Sequence, residues 1–271
     1  MGDDVKAEPL PSGFRRQLSS YGLVGPDGEL TTLGAGIRYH VIESQWQAAC
    51  EDRDGLPALM TDRPGIRVLD VGCGAAQTLR LLATAGSAKL VGIDTDLVAL
   101  ALGLRFAQLE GVSIGLAGAA ADSLPFRDES FDLVLCRVAL NYMHQRGALA
   151  EMARVLAVGG HLYLRVERIW HDAYLIAQSR SARALACRCR DLGHGVVHAL
   201  AGWQVAPGSR IRVGRAFASA GRVEHMLRPL GCRIVRVEET QSCPRILGRR
   251  TQLTIVARRE SMGSQTDVAR G

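Results

Sequence analysis

Residues 66–85 join a strand-like run to a helix-like run through glycines, and that junction limits the chain to few folds. Ile66, Val68, Leu69 and Val71 are apolar and mostly β-branched, the composition of a strand buried on both faces. The run breaks at Gly72-Cys73-Gly74, and Ala75 to Ala85 has helical composition. Strand, glycine turn and helix bring backbone N–H groups and a helix N-terminus close to a ligand. The dinucleotide fingerprint requires a third glycine where Gln77 stands. Asp70 lies just before the first glycine, where a carboxylate repels a pyrophosphate and attracts a cation.

A ligand carrying an ammonium and a sulfonium suits that charge, and S-adenosylmethionine carries both. Further motifs follow in order: Gly92-Ile93-Asp94, then Ala121-Asp122-Ser123-Leu124-Pro125-Phe126, then Phe131-Asp132-Leu133-Val134. Together with Asp70-Val71-Gly72-Cys73-Gly74 they resemble the class I S-adenosylmethionine-dependent methyltransferases, in particular the ubiquinone/menaquinone-biosynthesis-type branch of small-molecule enzymes. The resemblance covers residues 60–166, with a continuation to 259. It implies an α/β, Rossmann-like, doubly wound sheet of seven strands, mostly parallel, with the last strand antiparallel. It also implies an N-terminal helical segment over the cofactor cleft and a lid inserted after the fifth strand. The expected organisation is a helical cap at 1–58, a cofactor-binding core at 59–167 and a lid at 168–220. Residues 221–259 complete the sheet, and a disordered tail occupies 260–271.

Asp94, about 20 residues beyond the glycine turn, is placed to accept hydrogen bonds from both ribose hydroxyls. The resemblance gives Asp122 the adenine amino group. It extends cofactor contact to Asp70, Gly72, Cys73, Gly74, Gln77, Thr95, Ala121, Ser123, Cys136 and Arg137. Thr95 and Asp96 serve equally as helix caps, and Asp122 as the cap of a turn.

The acceptor half is less legible. Ligands of open α/β sheets bind beyond the carboxyl ends of the strands. Cys136 to His144 leaves the sheet there without the Asn/Asp-Pro-Pro-Tyr/Phe sequence of enzymes that methylate nucleobase or glutamine amines. Candidate substrate contacts are Tyr39, Arg137, Asn141, His144 and His171; candidate bases or orienting groups are Tyr142, His144, His171 and Tyr174. His144 is also placed to cap the helix expected from about 146 to 156. Strands are expected at 89–93, 112–116, 131–136, 161–166, 232–238 and 252–257. A helical insert from Ile169 through Cys189 precedes a glycine-punctuated segment, 193–208, and a helix at 221–230.

Composition sets outer bounds. The chain has 271 residues, 47% of them hydrophobic, enough for one substantial core. No apolar run of about 18 residues is present, so no membrane span is expected. The acidic start, Met1-Gly2-Asp3-Asp4, lacks a signal core. Seven cysteines without a Cys-x-x-Cys pair argue against a disulfide framework or zinc site and for a reducing cytoplasm; no metal is expected. Between Arg165 and Arg259 there are 18 arginines, no lysine and six acids. That excess admits an anionic partner, although arginine largely replaces lysine throughout the chain. The leading function is methyl transfer to an oxygen, nitrogen or carbon of a small molecule in secondary metabolism. Methylation of RNA or protein is the alternative.

Overall fold

The computed structural model describes Leu56 and residues 65–85, 88–179, 181–201, 216–240 and 243–261. All of the expected N-terminal cap but Leu56 (Tyr39 included), residues 180 and 202–215 of the lid and the tail beyond Ser261 lie outside the described residues.

Seven strands form one sheet: β1 (Arg67–Val71), β2 (Lys89–Asp94), β3 (Gly115–Gly118), β4 (Phe131–Arg137), β5 (Leu156–Glu167), β6 (Cys232–Glu239) and β9 (Gln252–Arg259). Their order is β3-β2-β1-β4-β5-β9-β6. All run parallel except β9, which is antiparallel to both β5 and β6. A small hairpin, β7 (Arg245–Ile246) and β8 (Arg249–Arg250), precedes β9. The helices are α1 (Gln77–Ala85), α2 (Leu97–Glu110), α3 (Gln145–Val155), α4 (Ile169–Ala177), α5 (Ala182–Ala201) and α6 (Ala220–Leu227).

Strand alternation divides the core in two. Leu69, Val134, Cys136, Leu162 and Leu164 face one layer, completed by Leu149 and Met152 of α3 and Val223 and Leu227 of α6. Val68, Leu133, Leu135 and Tyr163 face the other, against Leu79 and Leu82 of α1 and Leu56. Burial on both faces explains why these strands read as continuous apolar runs.

Four boundaries differ from the expectations for physical reasons. The third strand begins at Gly115 because Val112 still belongs to the end of α2. Gly111 takes a left-handed conformation (φ 68°), and the Val112 N–H donates to the Ala107 carbonyl. The fifth strand begins at Leu156, paired with Phe131, so Gly159 (φ 79°) and Gly160 sit in a strand irregularity and do not follow a helix end. Gly193 and Gly195 lie inside α5. A Cβ on Gly195 would meet the Phe217 ring at 2.4 Å, so glycine there admits an aromatic ring against the helix. The β7–β8 turn places Leu247 (φ 48°) and Gly248 (φ 74°) in the left-handed region, and leucine in that first position concealed it.

Candidate functional site

The carboxyl ends of β1, β2, β3 and β4 open onto one cleft of about 390 Å³. Gly72 forms its floor. With φ 77° it takes a backbone turn that favours glycine, and a Cβ there would meet Ala139 Cβ at 2.5 Å and Met143 Cε at 2.8 Å. The N–H groups of Gly72 and Cys73 both donate to the Ile93 carbonyl (2.8 and 3.0 Å), tying the turn to the end of β2. Asp94 continues that tie: Oδ2 accepts from the Gly74 N–H (2.8 Å) and Oδ1 from the Asp96 N–H (2.9 Å). Asp96 in turn caps α2, its Oδ1 accepting from Val98 and Ala99.

Asp94 and Thr95 line one side of the cleft, the loop Ala119–Asp122 another, and Ala139, Tyr142, Met143 and His144 a third. The loop after β4 turns at Val138, whose φ of 64° is a strained conformation for a β-branched residue. The Val138 N–H donates to the Arg165 carbonyl at 2.7 Å, which holds the turn in place.

The remaining expected contacts scatter. Asp70 is buried near the end of β1, and burial, reinforced by its charge, pushes the thiols of Cys73 and Cys136 far up. Gln77 is buried at the start of α1, and Ser123 is exposed just beyond Asp122. Cys136 is closed inside the core. Arg137 does not line this cleft: alternation along β4 turns it to the α1 face, where it donates to Thr78 Oγ1 at 2.6 Å. Asn141 is fully buried and holds backbone instead of substrate. Its Nδ2 donates to the carbonyls of Glu167 and Ala216 (2.9 and 2.8 Å), and its Oδ1 accepts from the Glu167 N–H (2.9 Å).

His144 is both the N-cap of α3, with Nδ1 accepting from the Gly147 N–H at 3.3 Å, and a wall of the cleft. Tyr142, also on the wall, donates its hydroxyl to Glu167 Oε2 at 3.3 Å. The other oxygen, Oε1, lies 3.1 Å from His171 Nε2. A carboxylate so close favours the imidazolium, yet burial, reinforced by Arg188, holds His171 down at about 4. The neutral ring therefore donates Nε2–H to Glu167. Tyr174 lies beside it, with ring centroids 6.5 Å apart and planes tilted by 44°. His171 and Tyr174 reach the cleft only through Glu167 and Tyr142, and neither lines it. Glu167 is the residue the motif reading passed over, because the strand was expected to stop at Val166. As the last residue of β5 it occupies a strand end, the position at which such folds carry function.

Residues 69–164 match the family model described as a methyltransferase domain. The chain is 32% identical over 147 residues to the 27-O-demethylrifamycin SV methyltransferase of Amycolatopsis mediterranei, covering 53% of this chain and 52% of that one. It is 36% identical over 129 residues to the ubiquinone/menaquinone biosynthesis C-methyltransferase UbiE of Laribacter hongkongensis, covering 45% and 52%. The chain thus spans about half the length of each of these two relatives. Among solved structures, the [4+2]-cyclase SpnF superposes with a TM-score of 0.53 at 20% identity over 80% of both chains, a likeness of fold alone. Residues 69–164 belong to the class I S-adenosylmethionine-dependent methyltransferases.

Proposed function

We propose that this protein transfers a methyl group from S-adenosylmethionine to an oxygen, nitrogen or carbon of a small-molecule acceptor. The observation that carries this reading is the cleft itself, which has two carboxylates, Asp94 and Asp122, on separate walls and apolar Ile93, Ala119, Ala121 and Met143 as lining. A nucleoside fits that donor set, since ribose hydroxyls and an exocyclic amine are donors and carboxylates accept. The cleft volume is within the ordinary range for sites of such ligands. When bound, the cofactor supplies an electrophilic methyl on a sulfonium, and transfer leaves a neutral thioether.

The chain's own part is mainly alignment, worth about 7–11 kcal/mol of barrier when geometry is held. For an acceptor that must lose a proton, the cleft offers the Tyr142 hydroxyl, backed by Glu167 Oε2, with His171 orienting Glu167 through Nε2–H. In this reading Glu167 takes the proton and His171 is a positioning residue. The two relatives are named for methylation of 27-O-demethylrifamycin SV and for C-methylation in ubiquinone/menaquinone biosynthesis, and phenols and hydroquinones are accordingly the acceptor classes to try first.

The test is transfer of isotopically labelled methyl from S-adenosylmethionine to a panel of phenols, hydroquinones and amines, with bulk RNA and an unmodified protein extract as comparators. Label in a low-molecular-weight product supports the reading. Label only in RNA or protein overturns it in favour of a macromolecular acceptor. The SpnF likeness makes this step necessary, because the same fold carries a cyclase.

A further inference from the structure

A second cavity, of about 320 Å³, lies against the wall of the cofactor cleft, and His144 lines both. It is built where three helices converge. The start of α3 contributes His144, Gln145 and Arg146, and α6 contributes Arg222, His225 and Met226 at i, i+3 and i+4 on one face. From α5 comes His198. We infer that this cavity is a subsite for an oxyanion, a carboxylate or phosphate borne by the acceptor. Its assignment to the acceptor rests on the methyltransferase reading.

The hydrogen bonds of His198 define what is missing. Arg222 Nη1 donates to the His198 carbonyl at 3.2 Å, and Arg222 Nη2 lies 3.3 Å from His198 Nε2. A guanidinium has no acceptor, so Nε2 must present its lone pair and the ring proton must sit on Nδ1. His198 is only 4% exposed, and Nδ1 is buried without a hydrogen-bond partner. Burial and the Arg222 charge both lower the imidazole's pKa, which keeps the ring neutral with that single N–H. A buried unpaired donor is costly, and the His198 ring that carries this one lines the cavity.

The surrounding charge has the same sign. No carboxylate lines the cavity among the described residues, and neither Arg146 nor Arg222 pairs with one there. The first turn of α3 adds the positive end of a helix dipole. The basic lining continues into an adjoining groove of about 780 Å³, which shares Arg146, His225 and Met226 and adds Arg228. An arginine-rich surface alone would leave its guanidiniums in water. Here Arg222 is half-buried and engaged with a histidine whose remaining donor is unmet.

The experiment follows histidine ring resonances while inorganic phosphate, and separately benzoate, is added at constant ionic strength. Saturable shifts at His198 and His225 are expected, with affinity falling about tenfold in Arg146→Gln and in Arg222→Gln. Arg146 is exposed and has no partner among the described residues, so its variant tests the site even if Arg222→Gln disturbs the fold. Shifts that fail to saturate, or that are equal in wild type and both variants, overturn the subsite. S-adenosylhomocysteine is titrated in parallel. Failure of wild type to bind it would sink the methyltransferase reading whatever phosphate does. Intact cofactor binding with no anion site would sink only this inference.

Discussion

Asp94 holds the site together at the residue scale. Each of its carboxylate oxygens accepts one backbone N–H, from Gly74 and Asp96, and each retains a further lone pair on a residue that lines the cleft. Asp94→Ala is expected to weaken S-adenosylhomocysteine binding by about 1.5–3 kcal/mol, read by calorimetry; unchanged affinity would put the ribose elsewhere. Glu167 makes a second residue-scale test. Glu167→Gln removes the carboxylate that both Tyr142 and His171 address. With a hydroxyl acceptor, turnover should fall by about 10²–10⁴ while cofactor affinity stays; equal losses in both would mark Glu167 as structural. The motif residues stand at a strand end or on the loop just beyond one, at a set spacing, and the structure gathers Gly72, Asp94 and Asp122 on one cleft. Arg137 and Cys136 stand one residue apart at the end of β4, so alternation sends them to opposite faces, a distinction that a list of loop residues cannot make. The buried role of Asn141 depends on the Ala216 carbonyl, 75 residues away in the chain, and so had no local signal.

At the scale of elements, α5 shows packing overriding composition. Glycine costs about 1 kcal/mol in a helix interior, so two glycines within three residues read as a break. The Phe217 ring against Gly195 reverses that expectation. Gly195→Ala should therefore lower the melting temperature, its overpacking cost of about 1–3 kcal/mol exceeding the propensity gain; a stabilised variant would show that Phe217 does not pack there. Helix α4 carries a compensated pair. Burial and Arg188 lower His171 from 6.5 to about 4, while burial and Asp191 raise Asp172 from 3.8 to about 6. As pH falls from 6.5 to 4, the unfolded chain takes up a proton at His171 that the folded chain refuses, which destabilises the fold. Over nearly the same window, from 6 to 3.8, the folded chain takes up a proton at Asp172 that the unfolded chain refuses, which stabilises it. The two offset. Asp172→Asn removes the second, so its urea midpoint should drop between pH 6.5 and 4 more steeply than that of wild type. Parallel pH profiles would contradict the assignment.

At the scale of the molecule, a sheet buried on both faces leaves its carboxyl edge as the place where polar side chains can meet a ligand. A doubly wound sheet of seven strands with the last antiparallel was implied by the run of motifs, and the structure gives it the order β3-β2-β1-β4-β5-β9-β6. Acceptor identity was not legible in the same way. The helices around the proposed subsite, α3, α5 and α6, come from distant parts of the chain, with lining residues between 144 and 226, and such a convergence has no local signal. No helix among the described residues is long and apolar enough to cross a membrane. No cluster of three or more His, Cys, Asp or Glu placed to hold a metal occurs there either. The central claim is that Asp94 and Asp122 face one nucleoside across the cleft. Its most direct test is calorimetric titration of S-adenosylmethionine and S-adenosylhomocysteine into wild type, Asp94→Ala and Asp122→Asn. Both ligands should bind wild type with micromolar affinity, and each variant should bind about tenfold or more weakly. Folded wild-type protein that binds neither ligand, or variants that bind as wild type does, would contradict it.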